Sequence, residues 1–431
     1  MTSGSTPARQ TGALLSTLLL CLTIFGPLSM DLYLPVLPAL TSDLDAATSV
    51  AQLTMTACLL GLAAGQVVAG PVSDRYGRRK PALVGIAAYV VMSALCAVSP
   101  SIEVLIAFRF LQGLAGAVGI VIAQAAGRDI YDGGALVRYY GKVSVVAGLA
   151  AIIGPLIGGQ IARFTDWRGL FLFLAFTGVV LLIAALIIFR ETLPADRRTT
   201  GGLRQVGQGY RRLLADRLFV GATVLIGFVY AAVFAYLSGA TYVLQGIYGL
   251  SPQEYSFVFG LTSFGFMVFG YLAGRAAEVR SVRGTIVTGL VMCGIGAVGL
   301  LVTQPLQLSL TFVIPSLFLI VSGAAVVTPP ATSLALTDYP ELAGTAASLL
   351  GVIRYAVGGI TAPLVGLAGD DTVLPLGIVT VVSVAIAVTA FVLFVVRVSP
   401  GRDPVSLSEP PEGEAASRAV GAGTGCRSMR R

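Results

Sequence analysis

The chain has 431 residues, of which 56% are hydrophobic and only 11% charged, with a formal net charge of +7. A soluble domain is roughly 25% charged, so this composition belongs to an all-α protein that crosses a bilayer many times. The 28 Lys and Arg give orientation and imply no nucleic-acid partner, and the lack of any histidine removes HExxH zinc sites, Ser-His-Asp triads and histidine proton relays.

Spanning roughly 30 Å of hydrocarbon takes about 20 residues. Twelve apolar runs are long enough, at about 13–38, 49–72, 82–100, 102–126, 139–162, 167–189, 218–245, 254–273, 284–303, 308–335, 344–368 and 373–397. Arg9 ahead of the first run resembles the start of a signal peptide. No A-x-A-like cleavage site follows, so the run reads as a retained first helix. Many of the 52 glycines and 21 prolines fall inside these runs, as membrane helices tolerate. Cys21, Cys58, Cys96, Cys293 and Cys426 form no paired spacing and read as small apolar residues.

Only Arg109 and Arg354 among the basic residues lie deep in spans. Arg163 and Arg168 fall in loops of one side, and all the others lie on the opposite side or in the terminal segments that belong to it. This bias predicts that both termini are cytoplasmic. The segment "RETLPADRRTTGGLRQVGQGYRRLLADR" divides the spans six and six. The expected organisation is a first half at 1–189, a linker at 190–217, a second half at 218–397 and a disordered tail at 398–431. "GPVSDRYGRRKPALVG" from Gly70 has a weak counterpart in "GYLAGRAAEVRSVRGTIVTG" from Gly270, with Arg75 and Arg275 matched. Halves related by duplication predict a transporter with its site between them near the midplane.

Three ionisable residues lie well inside spans: Asp31, Arg109 and Arg354. Each costs roughly 2.5–3.5 kcal/mol on insertion scales, so each needs a partner or a role. Asp31 and Arg109 are each about seven residues from the outer ends of their spans; at about 1.5 Å per residue they match in depth, which predicts an ion pair. Arg354 is nearer the midplane. Pro27, Asp31 and Pro35 share a helix face, which the prolines should bend. Arg109, Gln112, Gly113 and Gly116 share a face of span four, and Gly351 and Gly358 flank Arg354. Burial favours the protonated acid and an adjacent arginine the ionised one, a balance suited to proton exchange. A static ion pair that only orders the bundle is the alternative.

In "GPVSDRYGRRK", Gly70, Asp74, Arg75, Gly77, Arg78, Arg79 and Lys80 suit a tight turn with a charge latch between spans two and three. Gly154, Pro155, Gly158 and Gly159 in "GPLIGG" permit close contact and bending between the halves. Tyr33, Tyr230, Phe234, Tyr236 and Tyr242 offer rings and hydroxyls for an apolar pocket with a few polar anchors.

"GPVSDRYGRRK" resembles the cytoplasmic signature of the major facilitator superfamily, "RFLQGLAGA" its span-four arginine motif, and "GPLIGG" the span-five motif of its antiporters. "SMDLYLPVLPAL", "GRDIY", "RETLPADRR", "FAYLSGATYVLQGIYGLS" and "AGTAASLLGVIRYAVGG" together resemble the Bcr/CflA drug-resistance exporters, including the bicyclomycin-resistance type. The resemblance implies two pseudo-symmetric six-helix halves, alternating access, and drug export driven by proton entry across the plasma (inner) membrane. Gly274 stands where the first half has Asp74, a departure that weakens any latch there.

The expected function is therefore a proton-coupled antiporter that works as a monomer without cofactor or metal. Asp31 and Arg109 couple the proton, and Tyr33, Arg109, Gln112, Tyr230, Phe234, Tyr236, Tyr242 and Arg354 bind the drug. Two arginines against one acid favour neutral polar antibiotics of bicyclomycin or phenicol type over multivalent cations. The alternative on the same fold is a proton symporter importing a nutrient. An intramembrane enzyme has no metal cluster or nucleophile motif behind it.

Overall fold

The computed structural model describes residues 7–131, 133–195, 198, 203–279, 281–303, 305–336, 338–339, 343–367 and 372–396, and among these the chain forms helices and no strand. The first half comprises α1 (Ala13–Asp43), α2 (Thr48–Tyr76), α3 (Arg79–Ala97), α4 (Ile102–Ile130), α5 (Gly133–Ile161) and α6 (Trp167–Ile188). The second comprises α7 (Arg217–Ile247), α8 (Pro252–Val279), α9 (Val282–Thr303), α10 (Leu310–Leu336), α11 (Ala343–Thr361) and α12 (Leu374–Val396). Among the described residues eleven of these are long and apolar enough to cross a membrane. The twelfth, α5, is 29 residues long, and its described apolar part is Ile152–Ile161.

Proline chemistry shapes α1. A proline has no N–H for the carbonyl four residues before it and crowds that carbonyl. Pro27 and Pro35 act on Thr23 and Asp31, and the helix opens at both places. It runs as Phe25–Asp31, turns at Leu32 and Tyr33, tightens into a 3₁₀ turn at Leu34–Val36, and resumes as Leu37–Asp43. The span thus reaches beyond the expected residue 38, because the prolines redirect the helix without ending it.

Small residues bring helices together. α2 and α4 lie so close that a Cβ on Gly113 would strike the Cys58 carbonyl, and one on Gly61 the Phe110 carbonyl. Of the two glycines on the Arg109 face of α4, Gly113 thus packs on α2, while Gly116 faces Tyr89 of α3 and Phe25 of α1. Capping follows sequence signals. Asp166 accepts from the Arg168 and Gly169 N–H groups at the start of α6, and Asp216 from Leu218 N–H at α7. Ser251 and Glu254 form a reciprocal capping box at α8.

Within the expected linker, Leu203–Ala215 is a helix. It docks because Leu213 is buried and the Tyr210 hydroxyl lies 3.4 Å from Ser348 Oγ of α11. Next to it the Tyr339 hydroxyl donates to Asp216 Oδ2 at 2.7 Å; burial and that carboxylate push it up to about 12. The tail expected from residue 398 lies outside the described residues.

The halves are joined at one face. There Thr41 Oγ1 and the Tyr242 hydroxyl are 2.7 Å apart. Gln245 Nε2 donates to the Pro35 carbonyl at 3.0 Å, Gln253 Nε2 to the Gly159 carbonyl at 2.8 Å, and Gln52 Nε2 to the Ser238 carbonyl at 3.4 Å. Toward the other face, which carries the basic loops, Arg78 bonds Asp129 and Asp74 within the first half, and the Tyr339 hydroxyl bonds Asp216 at the start of the second. The space between them is therefore closed at the bonded face.

Candidate functional site: a seam acid and two unpaired arginines

Asp31 sits at the α1 break, only 5% exposed. A Cβ on Gly154 of α5 would lie 3.4 Å from its Cβ. Across the seam it faces Tyr236 and Tyr255 of the second half. Tyr236 bonds Thr262 Oγ1 at 2.7 Å, and Tyr255 accepts from Thr241 Oγ1 at 3.0 Å. Among the described residues no cation lies within 4.0 Å of Asp31.

The expected Asp31–Arg109 ion pair is absent. Arg109 stacks instead over the Tyr33 ring, 4.4 Å from its centroid, with Phe171 at 5.5 Å. Its Nη1 donates to Gln112 Oε1 at 2.6 Å, Gln112 Nε2 passes to Ser93 Oγ at 2.7 Å, and Arg109 Nε and Nη2 have no partner. The reason is azimuth. Asp31 and Tyr33 are two residues apart, so on the bent helix they point to opposite sides. Asp31 faces the seam, and Tyr33 faces α2 and α6 inside the first half, where Thr54 meets its hydroxyl at 3.2 Å. Matched depth did not mean matched direction.

This corrects three expected pocket residues. Tyr33, Arg109 and Gln112 are each fully buried inside the first bundle. Tyr236 and Tyr242 are also buried, as parts of the seam. Arg354 and Tyr230 remain partly exposed between the halves, with Phe234 against them. Arg354 lies over the rings of Tyr230 at 4.9 Å and Tyr355 at 4.7 Å, and its Nη2 donates to the Tyr355 hydroxyl at 3.0 Å. Tyr355 escaped the sequence reading, though it adjoins Arg354.

The "GPLIGG" stretch is buried on the seam. A Cβ on Gly158 would strike the Leu32 carbonyl just past the α1 break, and one on Gly159 would meet Ser256 Oγ of α8. Pro155 lies inside α5. The stretch thus presses α5 against the Asp31 turn on one side and against the second half on the other.

The charge cluster after α2 is a latch within one half. Gly77 turns the chain at φ +87°, where a side chain would strike Glu191. Arg78 is buried; its Nε donates to Asp129 Oδ2 at 2.9 Å and its Nη1 to Ser73 Oγ at 2.7 Å and to Asp74. Burial opposes its charge, but Asp129 and Asp74 outweigh that and hold the guanidinium above its ordinary value. Glu191 accepts from Arg78 N–H at 2.7 Å and Arg79 N–H at 3.3 Å. Burial pushes its carboxyl up, yet these N–H groups, that of Leu193 and Arg198 hold it below its usual value. Arg75 lies over the Tyr76 ring, and a methyl on Gly70 would meet nothing within 4 Å. Asp129 and Glu191 lay in "GRDIY" and "RETLPADRR"; acids inside basic loops were the signal for them.

Residues 19–363 match the Major Facilitator Superfamily. The chain belongs to that superfamily. An uncharacterized MFS-type transporter YdgK of Bacillus subtilis is 34% identical over 379 residues, covering 88% of this chain and 94% of the relative. A bicyclomycin resistance protein homolog of Haemophilus influenzae is 28% identical, covering 86% and 93%. The multidrug resistance protein MdtL of Shigella flexneri is 27% identical, covering 92% and 98%. Among solved structures, a D-xylose-proton symporter superposes with a TM-score of 0.66 at 14% identity, covering 88% of this chain and 97% of its own. This superfamily member is a multi-pass membrane transporter and not an enzyme, and the twelve-helix fold expected from its motifs is the fold it adopts. The fold itself serves symport as well as export.

Proposed function

We propose that this transporter exports small drugs in exchange for protons across the plasma (inner) membrane, as a monomer with its basic face and both termini in the cytoplasm. The bonded face is then external, and the structure is inward-facing. The observation that carries the reading is Asp31, the one acid deep in the bundle. It is buried at the external seam opposite two tyrosines, and among the described residues no cation lies within 4.0 Å of it.

A carboxylate without a cation is buried at far lower cost as the neutral acid than as the anion. Protonated Asp31 therefore fits the closed seam, and ionised Asp31 favours water and an open one. A drug enters the inward-facing space and lies against Arg354, Tyr230 and Phe234. Loss of the Asp31 proton to the cytoplasm then loosens the seam. The outward state releases the drug, and Asp31 takes a proton from outside, which closes the seam again. One positive charge moved inward is worth roughly 2.3 kcal/mol per 100 mV. Arg109 acts by holding α1 through Tyr33, next to the turn that carries Asp31.

Two unpaired arginines line or back this path, so neutral polar antibiotics of bicyclomycin or phenicol type fit better than cationic dyes. The drug-resistance names of two relatives support the direction of transport. Inverted vesicles test it. An inside-acid gradient driving chloramphenicol uptake is the expected result. Uptake only with the opposite gradient would make the protein a symporter, and equal export of permanently cationic dyes would refute the charge argument.

A further inference from the structure

Arg354 is a partly exposed cation in the interior. Among the described residues no carboxylate lies within 4.0 Å of it. One Nη2 N–H goes to the Tyr355 hydroxyl, which leaves the second N–H of Nη2 beside Nη1, while Nε is buried without a hydrogen-bond partner. Tyr230 and Tyr355 flank the guanidinium, and Phe234 lies 6.1 Å from each of their rings. One turn closer to the basic face, Gly351 packs on the Gln66 side-chain amide, which comes from the other half. A cation–ring contact offsets only part of the cost of burying a guanidinium. The group that completes this fork is planar and anionic, because a carboxylate takes two parallel N–H bonds from it. Three rings beside it fit a flat apolar body.

We infer that Arg354, Tyr230, Phe234 and Tyr355, with Gln66 opposite, form a subsite for organic monoanions that carry an acidic group on an aromatic ring. Asp31 faces the seam, so it does not oppose such a ligand. The inference adds organic monoanions to the neutral antibiotics placed at the same residues, and it rests on the export reading only for the ligand being carried.

The probes are benzoate and its uncharged amide, benzamide, titrated calorimetrically into the purified full-length chain at pH 7 with no gradient. Wild type is expected to bind benzoate at least tenfold more tightly. Arg354→Gln is expected to abolish that preference and leave benzamide affinity within threefold. Arg354→Lys, which keeps the charge but not the fork, retains part of the preference and guards against misfolding. Equal affinity for both probes in wild type overturns the subsite, as does a preference that survives Arg354→Gln. Binding needs no proton gradient, so a failure of export in vesicles leaves this result standing. Conversely, a missing anion preference with drug export intact refutes the subsite alone.

Discussion

Replacing Gly159 by alanine tests whether the seam is a two-state contact. The new methyl would strike Ser256 Oγ of α8 and lie 3.2 Å from both Ser256 Cβ and the Pro252 carbonyl oxygen, across the seam. Relaxed carbon contacts need about 3.5–4.0 Å, so α5 and α8 must part by about 0.3–0.8 Å. The Pro252 carbonyl is backbone and cannot rotate away. Overpacking of this kind costs about 1–3 kcal/mol. If the contact exists only with the seam closed, the closed population falls by about fivefold to about 150-fold relative to the open one. Spin labels at Ser42 and Leu306, on the bonded face of each half, report the change in a cysteine-free background. Double electron–electron resonance should move the distance distribution toward longer separations. Gly274→Ala is the control, since its methyl meets nothing within 4 Å. Wild-type distances in Gly159→Ala would refute the reasoning.

Arg78→Gln leaves Asp129 largely buried without its cation, and thermal unfolding should register a loss of about 3–5 kcal/mol, whereas a loss below about 1 kcal/mol would deny the latch. Glu191 has a depressed folded-state value, so its contribution is present above the usual carboxylate value of about 4.3 and lost as pH falls below it. A spin label at Pro194 should stay immobile from pH 8 to 5 and loosen only below about pH 4, and loosening at or above pH 5 would contradict the sign. Asp43→Ala removes the acceptor of the single tryptophan, Trp167 Nε1 at 2.9 Å, and the 2.6 Å bridge to Arg168. The emission of Trp167 should shift while stability changes by less than about 1 kcal/mol, as exposed pairs contribute little.

The spans were legible because hydrocarbon thickness fixes a length that apolar runs display, and the α1 breaks because proline's effect is local to four residues. The three deep ionisable residues were legible as costs. Their partners were not. Depth along a helix follows from residue count, but direction depends on how α1 bends and what α6 brings beside it, so Asp31 and Arg109 were paired on depth alone. Arg78 was seen as one member of a basic loop. Its acids come from Asp129 and Glu191, far along the chain, and their meeting depends on how α4 and α6 end beside α2. The motif glycines of α5 were recognised as a contact surface, while the surface they touch, the turn after Asp31, emerged only from packing.

The seam account depends most on Asp31 being the group that carries the proton. Reconstituted vesicles with an imposed pH gradient, wild type beside Asp31→Asn, measure this directly through chloramphenicol accumulation. The amide mimics the protonated acid and cannot release a proton. The account predicts that Asp31→Asn still binds the drug but loses gradient-driven accumulation entirely. Accumulation by Asp31→Asn equal to that of wild type would contradict it.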